Sequence, residues 1–195
     1  MRLAVLVSGN GTNLQSIIDA IRERYIPKVE ISFVVSSNSD AYALKRAEEN
    51  GLRTVVVAKK ELVSVLKPIF ERVDLVVLAG FLWIIPDELL KIKPIINVHP
   101  SLLPLFGGKG MYGTRVSGAI IASGMRISGP TVHLVTNDID GGPIIMQKCM
   151  EVRDDDTPES LLERTHPLEH QILVEAIKQM SEKKYKIVGK RVIFP

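Results

Sequence analysis

The amino-acid sequence predicts a three-layer α/β domain, with a sheet that is parallel in its N-terminal half and gains antiparallel strands in its C-terminal half. Three observations carry this. Runs such as LAVLVS (3–8) and DLVVLAG (74–80) are apolar on both faces, as strands are when helices cover each side. Helical stretches alternate with these runs, which is the pattern of βαβ units. Beyond residue 126 the order changes, and two strand-like runs flank the turn-like hexapeptide NDIDGG (137–142).

The elements follow in order. After the first strand, Leu14, Ile17, Ile18 and Ile21 recur at helical spacing. VEISFVVSS (29–37) reads as a strand, AYALKRAEENG (41–51) as a helix closed by Gly51, and RTVVVA (53–58) as a strand. ELVSVLKPIFERV (61–73) reads as a helix kinked or restarted at Pro68, and PIINV (94–98) as a buried strand. A Gly- and Pro-rich loop (99–113) leads to a helix over Val116–Ala122. RISGPTVHLVT (126–136) and PIIMQKCMEV (143–152) form one long antiparallel ribbon. Thr157-Pro158-Glu159 opens the last helix with a capping residue, a proline at the first helical position and an acid in the first turn. That helix runs to about Lys183, and a hairpin around Gly189 closes the chain.

The 195 residues suit one domain, and 46% apolar with 24% charged residues describes a globule, not a disordered chain. A formal charge of +3, with acidic and basic residues mixed, gives no reason to expect a nucleic-acid partner. One cysteine, Cys149, excludes an intrachain disulfide and reads as a packed strand residue. The short apolar start does not suit a signal peptide, and no span is long enough to cross a bilayer, so a cytoplasmic chain without membrane contact is expected.

SGNGTN (8–13) joins the first strand to the first helix. Leu14 breaks the dinucleotide G-x-G-x-x-G pattern, and no G-x-x-x-x-G-K-[ST] occurs. A phosphomonoester held by the backbone at Gly11, Thr12 and Asn13 is one reading. A tight turn capped by Thr12 or Asn13 is the other.

PIINVHP (94–100) sets Asn97 and His99 two apart, on one side of a strand and at its carboxyl end, where open α/β sheets place ligands. An amide donor beside an imidazole suits a developing oxyanion, although a buried pair satisfied by neighbouring backbone gives the same pattern. Asp138 and Asp140 lie in the acidic glycine turn, and a carboxylate from it can raise the pKa of His99 and orient the ring. His166 and His170 are four apart on one helical face. With no third ligand in sight, no metal site is expected there.

SGNGTN, VLAGFLWII (77–85), INVHPSLLP (96–104) and TVHLVTNDIDGGPII (131–145) together resemble, in order and spacing, the folate-dependent formyltransferases. SGNGTN narrows the resemblance to the branch acting on glycinamide ribonucleotide (phosphoribosylglycinamide), and the likeness runs along essentially the whole chain. It implies a Rossmann-like formyltransferase fold over 1–195, with a phosphate-binding half at 1–96 and a catalytic, folate-binding half at 97–195. It implies transfer of a formyl group from 10-formyltetrahydrofolate, as cosubstrate, to the ribonucleotide amine, by a monomer or homodimer that uses no metal. Asn97, His99 and Asp140 would be the catalytic trio. Gly11, Thr12 and Asn13 would hold the phosphate and Glu169 the ribose. The folate would meet Leu82, Trp83, Ile84, Ile85, Asn97, Thr136, Asn137, Asp138, Ile139 and Asp140.

Trp83 stands where the family often carries arginine, the 58–74 segment is short, and LFGGKGMYGTRV (105–116) departs from the commoner loop. Rival readings are a formyltransferase acting on methionyl-tRNA or an amino-sugar nucleotide, and a mononucleotide-binding module without catalysis. The tRNA enzyme is expected to carry a further C-terminal domain and a basic surface. The module leaves the trio unexplained as a set.

Overall fold

The structure, a computed structural model, describes residues 1–195. The chain divides into two compact units, 1–97 and 98–195, and the division falls inside one strand.

The first unit alternates strands and helices as expected: β1 (Arg2–Val7), α1 (Thr12–Arg22), β2 (Glu30–Ser36), α2 (Tyr42–Glu49), β3 (Thr54–Val56), α3 (Leu62–Glu71), β4 (Leu75–Leu78), α4 (Asp87–Leu90) and the start of β5 (Ile95–His99). All strand pairings in this unit are parallel, in the order β3-β2-β1-β4-β5. The chain thus winds outward from β1 to β3 and then crosses to the other side of β1. The carboxyl ends of β1 and β4 flank this reversal, which is where doubly wound sheets open a crevice for ligands. Leu3 to Val7 have no exposed surface, which explains why that run carries no polar alternation.

Gly51 follows α2 in the left-handed region (φ 67°), and the Leu52 N–H returns to the Ala47 carbonyl at 2.9 Å, closing the helix as its glycine foretold. Of the two readings at Pro68, the restart does not occur, since α3 runs unbroken from Leu62 to Glu71. The proline and Ser64, whose carbonyl loses its usual donor, both face water, while Leu66, Ile69 and Phe70 hold the buried side. The four-residue α4 was missed because one turn is too short to show a period.

The second unit begins with Val98 and His99, so β5 extends one residue beyond its expected end to include the histidine. It continues through α5 (Thr114–Ala122), β6 (Ile127–Ser128), β7 (Thr131–Leu134), β8 (Ile144–Gln147), β9 (Met150–Glu151), α6 (Pro158–Glu182), β10 (Lys186–Val188) and β11 (Arg191–Ile193). The expected long ribbon is two separate ladders, β7–β8 and β6–β9. It breaks at Gly129, where a Cβ would stand 1.8 Å from the Lys148 carbonyl oxygen, and at Pro130, which has no N–H to donate. The β10–β11 hairpin turns at Gly189, as expected. Thr157 caps α6 reciprocally with Ser160, at 3.2 Å and 2.9 Å. Leu161, Thr165, Glu169, Ile172, Leu173 and Ala176 form the buried stripe of α6, with Glu169 as its one acid. Val116, Ile120, Val152 and Leu161 make a small core against which Phe106 packs, anchoring the loop after β5.

Candidate active site

In the first unit the glycine turn is built by α2 as much as by its own sequence. Gly11 lies in the left-handed region (φ 78°), and a Cβ there would stand 2.6 Å from the Cβ of Ala43. The Ala43 N–H donates to the Gly9 carbonyl at 3.1 Å. Gly11 is the N-cap of α1 and no side chain caps that helix, so neither Thr12 nor Asn13 plays the capping part that the alternative reading gave them. The helix thus meets the turn with N–H groups and the positive end of its dipole, an arrangement suited to an anion. Asn13 is buried beneath the turn and Thr12 is half-buried.

Ser8, at the end of β1, accepts the Leu82 N–H at 3.0 Å and shares a 2.6 Å hydrogen bond with Ser37. This contact ties the segment after β4 to the glycine turn. Within that segment Phe81 and Ile85 are buried, Trp83 is half-buried and meets Phe81 edge-on at 5.9 Å, and Leu82 and Ile84 are 62% and 65% exposed. Asn97 sits two residues before His99 on β5, in register with Leu78 of β4.

In the second unit His99 and Asp140 come together across 41 residues of chain. His99 Nδ1 lies 3.5 Å from Asp140 Oδ2, with the two side chains only 4% and 12% exposed. On its other side the ring donates from Nε2 to the Phe106 carbonyl at 2.9 Å. The Gly108 N–H donates to Asp140 Oδ2 at 2.9 Å. Gly107 approaches so closely that a Cβ there would be 3.0 Å from Asp140 Cβ. The loop that departs from the commoner family pattern therefore grips both the histidine and the carboxylate.

Sequence reasoning missed a further member. His133 on β7 is buried, and its Nε2 lies 3.6 Å from Asp140 Oδ1. Its signal was the one that exposed His99, a histidine inside an apolar strand (TVHL), but nothing local said where the ring pointed. Asp140 takes a left-handed conformation (φ 56°) that delivers its carboxylate between the two imidazoles.

Burial pushes the Asp140 carboxyl up, yet hydrogen bonding from His133, the charge of His99 and the Gly108 N–H outweigh it and hold the pKa below the ordinary value. Burial pushes His99 down, and this outweighs the upward pull of Asp140 and of the Phe106 carbonyl. Asp140 thus acts on His99 in the expected direction, but burial wins and holds the ring below its usual pKa.

Thr136 to Ile139 surround the carboxylate in sequence and not in burial. The Thr136 hydroxyl donates to the Asp138 carbonyl at 3.3 Å, Asp138 faces water with Lys190 Nζ at 3.5 Å, Asn137 is exposed, and Ile139 is 37% exposed. Asp138 is therefore the solvent-facing acid of the turn and Asp140 the enclosed one. Glu169 is 6% exposed on α6. His166 and His170 share a face of that helix, and no group of three or more potential metal ligands occurs. Cys149 is exposed between β8 and β9, not packed in a strand, because the ribbon breaks beside it. No helix is long and apolar enough to cross a membrane.

Residues 1–177 match the Formyl transferase family model. The chain belongs to the formyl transferase family. It is 40% identical to the chloroplastic phosphoribosylglycinamide formyltransferase of Vigna unguiculata, over 94% of this chain and 62% of that protein, so it spans somewhat less than two thirds of that relative. Against the phosphoribosylglycinamide formyltransferase of Dictyostelium discoideum the identity is 36%, covering 93% of this chain and 98% of the other. The solved structure of glycinamide ribonucleotide transformylase 1 from Symbiobacterium toebii superposes with a TM-score of 0.91 at 36% identity, covering all of this chain and 93% of that one. The expected α/β formyltransferase fold is borne out by this likeness.

Proposed function

We propose that this chain transfers the formyl group of 10-formyltetrahydrofolate to the amine of 5'-phosphoribosylglycinamide, giving the N-formyl product and tetrahydrofolate, as one formyltransferase domain in purine biosynthesis. The observation that carries this reading is the enclosed His99–Asp140 pair at the end of β5, with Asn97 two residues earlier on the same strand.

The amine attacks the formyl carbon, a tetrahedral intermediate forms, the bond from that carbon to the folate nitrogen breaks, and the amine proton passes to that nitrogen. Asn97 and His99 stabilise the intermediate's oxygen. At rest the His99 Nε2–H is engaged by the neutral Phe106 carbonyl, and a charged oxygen is a stronger acceptor. The exchange therefore favours the transition state over the ground state. The same negative charge promotes protonation of His99, which burial disfavours at rest. Asp140 orients the ring and a water that carries the proton.

Gly11, Thr12 and Asn13 receive the phosphate and Glu169 the ribose hydroxyls. Leu82 and Ile84 supply exposed apolar surface for a flat pterin, with Trp83, Ile85, Asn97 and residues 136–140 completing the folate contacts.

Absorbance at the folate chromophore, followed with and without the ribonucleotide, tests the reading. Deformylation only in its presence is the expected result. Deformylation without it would mean hydrolysis, and none in either case would remove the activity.

A further inference from the structure

Arg46 reaches the glycine turn from α2 through its guanidinium. Its Nε donates to the Asn10 carbonyl at 2.9 Å, its Nη2 to Asn10 Oδ1 at 2.8 Å, and its Nη1 to Gln15 Oε1 on α1 at 3.4 Å. One planar fork thus binds the turn at two points and the helix behind it at a third, a set that no lysine can make. The guanidinium stacks on Tyr42 with its carbon 4.9 Å from the ring centroid, which fixes the fork from the other face. The neighbouring Ala43 fills the space below Gly11 and bonds Gly9. Residues 9–11 are therefore held by α2 at consecutive points.

We propose that Arg46 is a positioning residue for the ribonucleotide phosphate: it holds the 9–11 backbone so that the first N–H groups of α1 converge before the ligand arrives. This rests on the reading of Gly11–Asn13 as the phosphate seat. Two glycines leave the turn mobile in isolation, and ordering it in advance lowers the cost of binding without touching the reacting atoms. The effect belongs to ribonucleotide affinity and not to the chemical step.

The test uses the full chain, its Arg46→Met and Arg46→Lys variants, and ribose 5-phosphate as a probe followed through the backbone amide resonances. In the unsubstituted chain the Gly11, Thr12 and Asn13 amides are expected to shift. If they do not, the phosphate seat lies elsewhere and the underlying reading fails. In Arg46→Met the same amides shift with a midpoint raised roughly tenfold, the size of one charge-assisted hydrogen bond. The KM for the ribonucleotide rises alike, while kcat and the KM for the folate stay unchanged. An unaltered midpoint, or a fall in kcat with KM constant, overturns the proposal while leaving the phosphate seat intact. Arg46→Lys keeps the charge and loses the fork, so it is expected to resemble Arg46→Met. Restoration of full affinity by lysine would show that charge alone matters, and would overturn the positioning role.

Discussion

Oδ2 of Asp140 stands 3.5 Å from Nδ1 of His99, and the two side chains are almost sealed from water. Because the carboxylate raises the His99 pKa against the larger downward effect of burial, its removal is expected to lower that pKa further. In Asp140→Asn the His99 ring resonances should titrate at a lower pH than in the unsubstituted chain, and turnover should fall by about 10²–10³. A His99 titration unchanged or moved upward would contradict the pairing.

Under the proposed mechanism, Asn97→Ala and His99→Ala each delete a donor to the developing oxygen. Removal of one such donor costs about 10²–10³ in kcat. Paired kinetics and thermal melts should show turnover nearly abolished in a chain that still folds cooperatively. Turnover like that of the unsubstituted enzyme in either variant would remove that residue from the mechanism.

Gly107 lies where a side chain cannot. Its substitution by alanine places a carbon 3.0 Å from Asp140 Cβ and 2.6 Å from Leu103 Cδ2, and Leu103 can yield more readily than the backbone-fixed Asp140 Cβ. Gly107→Ala is therefore expected to lower kcat by roughly tenfold or more, since small misplacements in a catalytic set are costly. Under the proposed reading ribonucleotide KM should not change, because the phosphate is held by Gly11, Thr12 and Asn13. Full kcat in this variant would show that the loop's grip on Asp140 is not needed.

Acid should weaken the fold through the same pair. His99 has a folded pKa below its ordinary 6.5, so between those values the unfolded chain binds the extra proton. Its contribution to stability is complete above pH 6.5 and is lost as pH falls through the folded value. Asp140, held below 3.8, contributes above that pH and loses its contribution as pH falls through its own lower folded value. Urea unfolding between pH 8 and 5 should show stability declining in the unsubstituted chain and declining less in His99→Gln. Equal slopes would exclude His99 as the source.

Thr157 tests the scaffold apart from the chemistry. Thr157→Ala breaks the reciprocal cap with Ser160 and is expected to cost about 1 kcal/mol, read as a lower melting temperature. Specific activity below the melt should be unchanged, since the cap lies about three turns of helix from Glu169.

The alternation of strands and helices in residues 1–97, the caps at Gly51 and Thr157, and Asn97 with His99 at one strand end were legible from the residues alone. Each of these is written in neighbouring residues, as apolar period, cap chemistry or the two-residue repeat of a strand. The tertiary structure alone decided that Asp140 faces inward and Asp138 outward, that His133 shares the carboxylate, that the Phe106–Gly108 backbone grips the pair, and that Arg46 reaches Asn10. Those relationships join residues 7 to 52 positions apart, some side chain to side chain and others backbone to side chain. Local propensity has no term for such approaches, because they are fixed only when packing brings distant segments within a few ångströms.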